Sequence, residues 1–175
     1  MTARDLVTVT GAAVALGISV ALVEQPYRVA GRRSPPRAPQ LDAAWIAVVE
    51  HLRAGELRGL PLIAGGRSSG ARVACRTATA LGAIGVLCLA FPLQPPRPSG
   101  AVPAPSRLPE LDMVTVPTLV VQGVRDPFGV PPSAGLRDVV LLQSDHSLRS
   151  GLDALEAPLR DWILTLIADL PRPAL

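Results

Sequence analysis

A chain of 175 residues, 49% hydrophobic but only 3% aromatic, is long enough to bury about 70% of its unfolded surface, in a core built from Leu, Val, Ile and Ala. Its net charge is +3, and all 17 basic residues are arginines spread along the chain, which reads as coding bias and lacks the clustered basic face that nucleic-acid binding needs. Cys75 and Cys88 stand without C-x-x-C spacing or further partners, which argues against a disulfide or zinc framework and for small core residues in a reducing, cytoplasmic compartment.

Leu6 to Val23 carries no charge and approaches the length of a membrane span, but Thr8, Thr10, Gly11, Gly17 and Ser19 dilute it. Asp5 spoils a positive n-region, and no A-x-A cleavage pattern follows. The reading is therefore a helix over Arg4–Leu16 ended by Gly17, then a buried strand over Ile18–Val23. Glu24 to Pro39, with Pro26, Pro35, Pro36 and four arginines, is a polar surface loop, or else an anion-attracting rim beside a pocket. Leu41, Trp45, Val48, Val49 and Leu52 mark an amphipathic helix with His51 on its surface.

Leu62, Ile63 and Ala64 form a short apolar run with the look of a parallel strand, and Ala74, Ala78 and Leu81 recur at helical spacing soon after. Between them lies Gly66-Arg67-Ser68-Ser69-Gly70, a G-x-S-x-G pattern in the strand-to-helix context it requires. A serine lifted onto so sharp a turn needs small neighbours two residues away on each side, and the turn aims the N–H groups of the helix start at a developing oxyanion. A phosphate cradle is the competing reading of such a turn. Neither G-x-G-x-x-G nor the P-loop pattern can be threaded through Gly65, Gly66 and Gly70.

Ile84–Ala90 is the next buried strand, and Phe91 to Leu111 is too rich in proline for a helix or central strand. Its length and position favour a functional loop, with Phe91, Pro92 and Leu93 expected at the border of a pocket that the loop gates. Thr118–Gln122 and Val139–Leu142 complete the strands, and a closing helix spans Ala157–Leu170 with Leu159, Ile163, Leu166 and Leu170 as its stripe. Strands alternating with helices or long crossovers give an α/β class with a mainly parallel sheet.

Ser68, Asp126 and His146 each fall just past the C-terminal end of an expected strand, the edge where open α/β sheets place their sites. Their chain order, Ser then Asp then His, is that of α/β-hydrolases. They supply a nucleophile, an acid that fixes the base's tautomer, and a base. The rival His51 precedes the serine on a helix. Asp145 is the weaker acid, because an immediate neighbour of His146 rarely reaches its Nδ1.

The chain resembles the small α/β-hydrolase-fold proteins related to dienelactone hydrolases, a group that includes the NSL-complex-subunit and testis-expressed proteins of animals. The matching stretches are Glu24-Gln25-Pro26-Tyr27, Gly65-Gly66-Arg67-Ser68 with Gly70 and Arg72, Gln122 to Gly129, and Asp145-His146-Ser147. Relatives carry Gly-Gly-(Lys/Arg)-Ser-Met-Gly-Gly-Arg at the elbow, so Ser69 and Ala71 depart from the pattern. The resemblance implies a single α/β-hydrolase domain over 1–175 and a Ser68–Asp126–His146 triad, with the Ser69 N–H as oxyanion donor. Relatives also begin with a strand ending in a His-Gly-type loop, which gives a second oxyanion donor and lies between the strands placed here at Ile18–Val23 and Leu62–Ala64. No equivalent precedes Met1, so the expectation is either an upstream start or a truncated relative.

The function expected is hydrolysis of an ester-type acyl substrate, and the alternative is a catalytically weak hydrolase-fold protein serving as a binding or regulatory module. The expected partner is a small-molecule substrate rather than nucleic acid or membrane, a homo-oligomer is left open, and no cofactor or metal is called for.

Overall fold

The computed structural model describes residues 3–97, 100, 102, 104–168 and 170. Helix α1 (Arg4–Ala15) places Leu6, Val9 and Ala13 on one face against the sheet. It ends one residue before the expected Leu16. Gly17 then takes φ +77° and the N–H groups of Leu16, Gly17 and Ile18 return to the last turn. The single turn α2 (Pro26–Val29) and the long α3 (Ala38–Ala54) follow, α3 burying Leu41 and Val49 from the expected stripe.

Four parallel strands then form one sheet in chain order: β1 (Ile63–Arg67), β2 (Gly85–Leu89), β3 (Thr118–Gly123) and β4 (Arg137–Leu142). The crossovers carry α4 (Ser69–Thr77) between β1 and β2, and α5 (Leu108–Asp112) between β2 and β3. A 3-10 turn (Leu152–Leu155) leads into α6 (Glu156–Ala168), where Leu159, Ile163 and Leu166 are buried as expected. Leu170 lies beyond the helix.

Side-chain alternation sorts the sheet's two faces. Leu87, Leu89, Leu119 and Val121 pack with α1 and α6, whereas Val86, Cys88 and Val120 pack with Ala71, Ala74 and Cys75 of α4 and with Ala78 just beyond it. A sheet covered on both faces explains why β2 and β3 are buried at every position and read as continuous apolar runs.

Ile18–Val23 corrects the expectation of a strand. The segment has no regular secondary structure and pairs with no strand. A strand exists only where a neighbour's backbone completes its ladder, and none lies beside this segment among the described residues. β1 is likewise an edge strand, paired only with β2. The two segments that could have paired with each other face across an apolar groove of about 370 Å³, walled by Val9, Ile18, Val20, Trp45, Leu62 and Ile63.

The proline-rich stretch is irregular through Arg107, among its described residues, but the expectation that no helix forms before Leu111 is corrected: α5 starts at Leu108, and Pro109 is accommodated because it stands in the first turn. No helix among the described residues is long and apolar enough to cross a membrane.

Candidate active site

β1 ends at Arg67 and α4 begins at Ser69, so Ser68 alone makes the reversal, at φ +53° and ψ −113°. That conformation is costly for a residue with a side chain, and its neighbours hold it there. The Ser68 N–H donates to Leu89 O on β2 at 2.8 Å, and its carbonyl receives the N–H of Ala71 at 3.1 Å. A Cβ on Gly66 would lie 2.3 Å from the carbonyl carbon of Gly70, so the strand can pass under the helix only as glycine. A Cβ on Gly70 would meet open space, which corrects the symmetric steric reading of the motif: the strand side carries the constraint.

The Asp126 loop follows β3. Its turn closes through Asp126 N–H to Gly123 O and Gly129 N–H to Asp126 O, each 3.0 Å, with Gly129 at φ +86°. The His146 loop follows β4 and lies against the end of β3. A Cβ on Gly123 would sit 2.5 Å from Asp145 O, so that glycine lets the histidine segment approach.

Three side chains from three separate strand ends meet in one line. Ser68 Oγ lies 2.9 Å from His146 Nε2, and His146 Nδ1 lies 2.8 Å from Asp126 Oδ2. The Asp126 side chain is fully buried, while that of His146 keeps 22% of its surface exposed. The Asp126 side chain is therefore out of water's reach, whereas that of His146 is partly open to solvent. The second oxygen, Asp126 Oδ1, receives the Phe128 N–H at 2.9 Å. The Phe128 ring lies against the imidazole with centroids 4.4 Å apart, limiting its rotation. Ser69 is the first residue of α4, and its N–H has no carbonyl one turn back within the helix to bond.

Asp145 is turned to another task. Its Oδ1 accepts the Ser147 hydroxyl at 2.5 Å and the Ser147 N–H at 2.8 Å, and these bonds hold its carboxyl below the usual range. His51 is exposed on α3, and the loop arginines Arg28, Arg32, Arg33 and Arg37 are all exposed.

The expectation that Phe91 and Pro92 border a pocket is corrected, since both are buried, whereas the expected gate falls on a loop whose residues 98, 99, 101 and 103 lie outside the described residues. Phe91 is fully buried, and both it and Leu93 belong to the apolar layer over α4. The two ends of the loop are bonded to each other and to the Asp126 loop: Gln94 N–H donates to Phe128 O, Arg107 N–H to Leu93 O, and the Arg107 guanidinium to Pro92 O. Apolar residues leaving a central strand go first to the core, and the pocket border was inferred from position alone.

Gln122 is the residue the sequence reading left without a role. Its Nε2 donates to Asp126 Oδ2 at 2.7 Å, Gly129 O at 2.9 Å and Phe91 O at 3.1 Å. One amide thus joins the acid, its loop and the end of β2. The available signal was an amide side chain just after the Leu-Val-Val run of its strand, which when buried must find partners within the protein.

Residues 2–149 match the family described as the alpha/beta hydrolase domain. No curated protein matches the chain in sequence. Among solved structures, Est1E from Butyrivibrio proteoclasticus aligns with a TM-score of 0.70 at 13% identity, over 95% of this chain and 83% of its own. A serine hydrolase without a lid from Xanthomonas campestris gives 0.67 at 21% identity, over 98% of this chain and 77% of its own. An α/β serine hydrolase homologue from Coxiella burnetii gives 0.64 at 16%, over 92% and 76%. At these identities the likeness speaks for the fold alone.

Proposed function

Because this chain belongs to the alpha/beta hydrolase domain family, we propose that it is a serine hydrolase acting on a small ester-type acyl substrate through Ser68, His146 and Asp126. The observation that carries the reading is the unbroken line of contacts, 2.9 Å from Ser68 Oγ to His146 Nε2 and 2.8 Å from Nδ1 to Asp126 Oδ2.

Ser68 Oγ attacks the acyl carbon as His146 Nε2 takes its proton, and Asp126 stabilises the imidazolium and fixes its tautomer. The carbonyl oxygen becomes an oxyanion that receives the Ser69 N–H. Collapse breaks the ester bond, and the leaving alkoxide takes the proton from His146. Water then enters, gives its proton to His146 and attacks the acyl-serine carbon. His146 returns that proton to Ser68, releasing the acid.

Within the family, the motif stretches favour the dienelactone-hydrolase-like group. The chain is read as one such domain over 1–175. The lack of C-x-x-C spacing or further cysteines beside Cys75 and Cys88 supports a reducing, cytoplasmic setting.

The test is turnover of a short-chain aryl ester. Ser68→Ala should lower kcat by at least about 10³-fold, and Asp126→Asn by a comparable factor, with little change in melting temperature. Turnover unaffected by Ser68→Ala contradicts the assignment. The alternative, a weak or inactive hydrolase-fold protein acting as a binding module, draws support from the apolar groove beside β1, which hydrolysis of a small ester does not require.

A further inference from the structure

We propose that Arg67 is a positioning residue of the hydrolytic site: anchored by the buried Asp5, it holds the main chain of His146 so that the ring stays between Ser68 and Asp126. The inference rests on the triad reading above and adds two residues to it.

Arg67 is the last residue of β1 and the covalent neighbour of Ser68. Its Nε donates to Asp5 Oδ2 at 2.8 Å, and its Nη2 donates to His146 O at 3.0 Å. One planar guanidinium thus spans the strand that carries the nucleophile, the first turn of α1 and the loop that carries the base. The fixed angles between guanidinium donors make this a rigid joint, which the single flexible ammonium of a lysine cannot reproduce.

Asp5 makes the joint stiff. It is fully buried while the Arg67 side chain is 29% exposed, and a buried carboxylate without a partner is strongly destabilising. Its other oxygen accepts the Leu6 N–H at 3.0 Å, and its place in the first turn of α1 sets negative charge at the positive end of the helix dipole. Both oxygens are therefore engaged, and Arg67 cannot swing to solvent without leaving Asp5 unpaired.

His146 is consequently fixed at both ends. Ser68 and Asp126 hold its ring, and Arg67 holds its carbonyl. Between β4 and α6 the segment lacks regular structure around His146, so its main chain needs ties of this kind. A displacement of about 1 Å at such a group costs on the order of 10² in rate.

The test compares the wild type with Arg67→Lys, Arg67→Met and the double variant Asp5→Asn/Arg67→Met, which removes the stranded buried charge should the single change fail to fold. The readouts are kcat and KM on an aryl ester, and amide exchange by mass spectrometry over residues 144–148. We expect kcat to fall about 10- to 100-fold in both methionine variants with KM nearly unchanged, partial recovery in Arg67→Lys, and faster exchange at 144–148. Unchanged kcat with unchanged exchange overturns the proposal. If the wild type itself shows no turnover through Ser68, the triad reading fails, and exchange alone then decides: acceleration keeps Arg67 as the holder of the His146 segment, and its absence removes that role as well.

Discussion

Gln122 illustrates how far a single residue's role depends on contacts invisible in its local sequence. Its amide is the one donor shared by Asp126, Gly129 and Phe91. Replacement by leucine of similar bulk would leave two main-chain carbonyls and a buried carboxylate each short of a donor. Gln122→Leu should therefore cost about 1–3 kcal/mol in denaturant unfolding and lower kcat more than it changes KM. An unchanged unfolding midpoint would show that water replaces the amide freely. The meeting of Ser68, Asp126 and His146 was legible because motif, strand-end position and chain order converge on them. Arg67 was legible as part of the motif, but its role was not, because its partners Asp5 and His146 are distant in the chain. Asp5 itself was legible only as a charge that spoils a signal peptide.

At the scale of elements, α3, α4 and α5 are joined by one ionic cluster. Glu110 accepts Arg72 at 2.7 and 2.6 Å and Arg76 at 3.2 Å, and Arg76 also pairs with Asp42 at 2.6 and 2.8 Å. Burial alone would raise the Glu110 pKa, but the hydrogen bonds from Arg72 and the charges of both arginines outweigh it and hold the carboxyl below its usual range. A depressed folded value means that Glu110 contributes its stability in full above the unfolded carboxylate pKa of about 4.3 and loses it as pH falls through the folded value. Glu110→Gln should be less stable than the wild type at neutral pH by about 1–3 kcal/mol, with the gap narrowing as pH drops below about 4. Parallel stability curves would contradict this. Helices α1, α3, α4 and α6 were readable from helical spacing, and the buried strands from apolar runs because both faces of the sheet are covered, whereas α2 and α5 lie in stretches read as loop. Ile18–Val23 was misread because its composition suits a strand, whereas a strand also requires a neighbour, and pairing is not encoded locally.

For the molecule as a whole, the order β1-β2-β3-β4 sets a gradient of protection. β3 is paired on both sides and buried at every position, whereas β1 is paired on one side only. Leu62 O and Ser68 N–H bond to β2, so by alternation the main-chain groups of Ile63, Gly65 and Arg67 face away from it, and Ile63 and Gly65 line the groove. Amide exchange at these three positions should run orders of magnitude faster than in β3, and equal protection would show that the edge is covered. The same order brings Ser68, Asp126 and His146 together from the ends of β1, β3 and β4. The most direct measurement of the central claim is covalent labelling with a fluorophosphonate, followed by mass spectrometry of the peptide that carries the adduct. The account predicts a single phosphonyl group on Ser68, absent in Ser68→Ala and formed far more slowly in His146→Ala. An unlabelled wild-type chain, or an adduct on another residue, would contradict it.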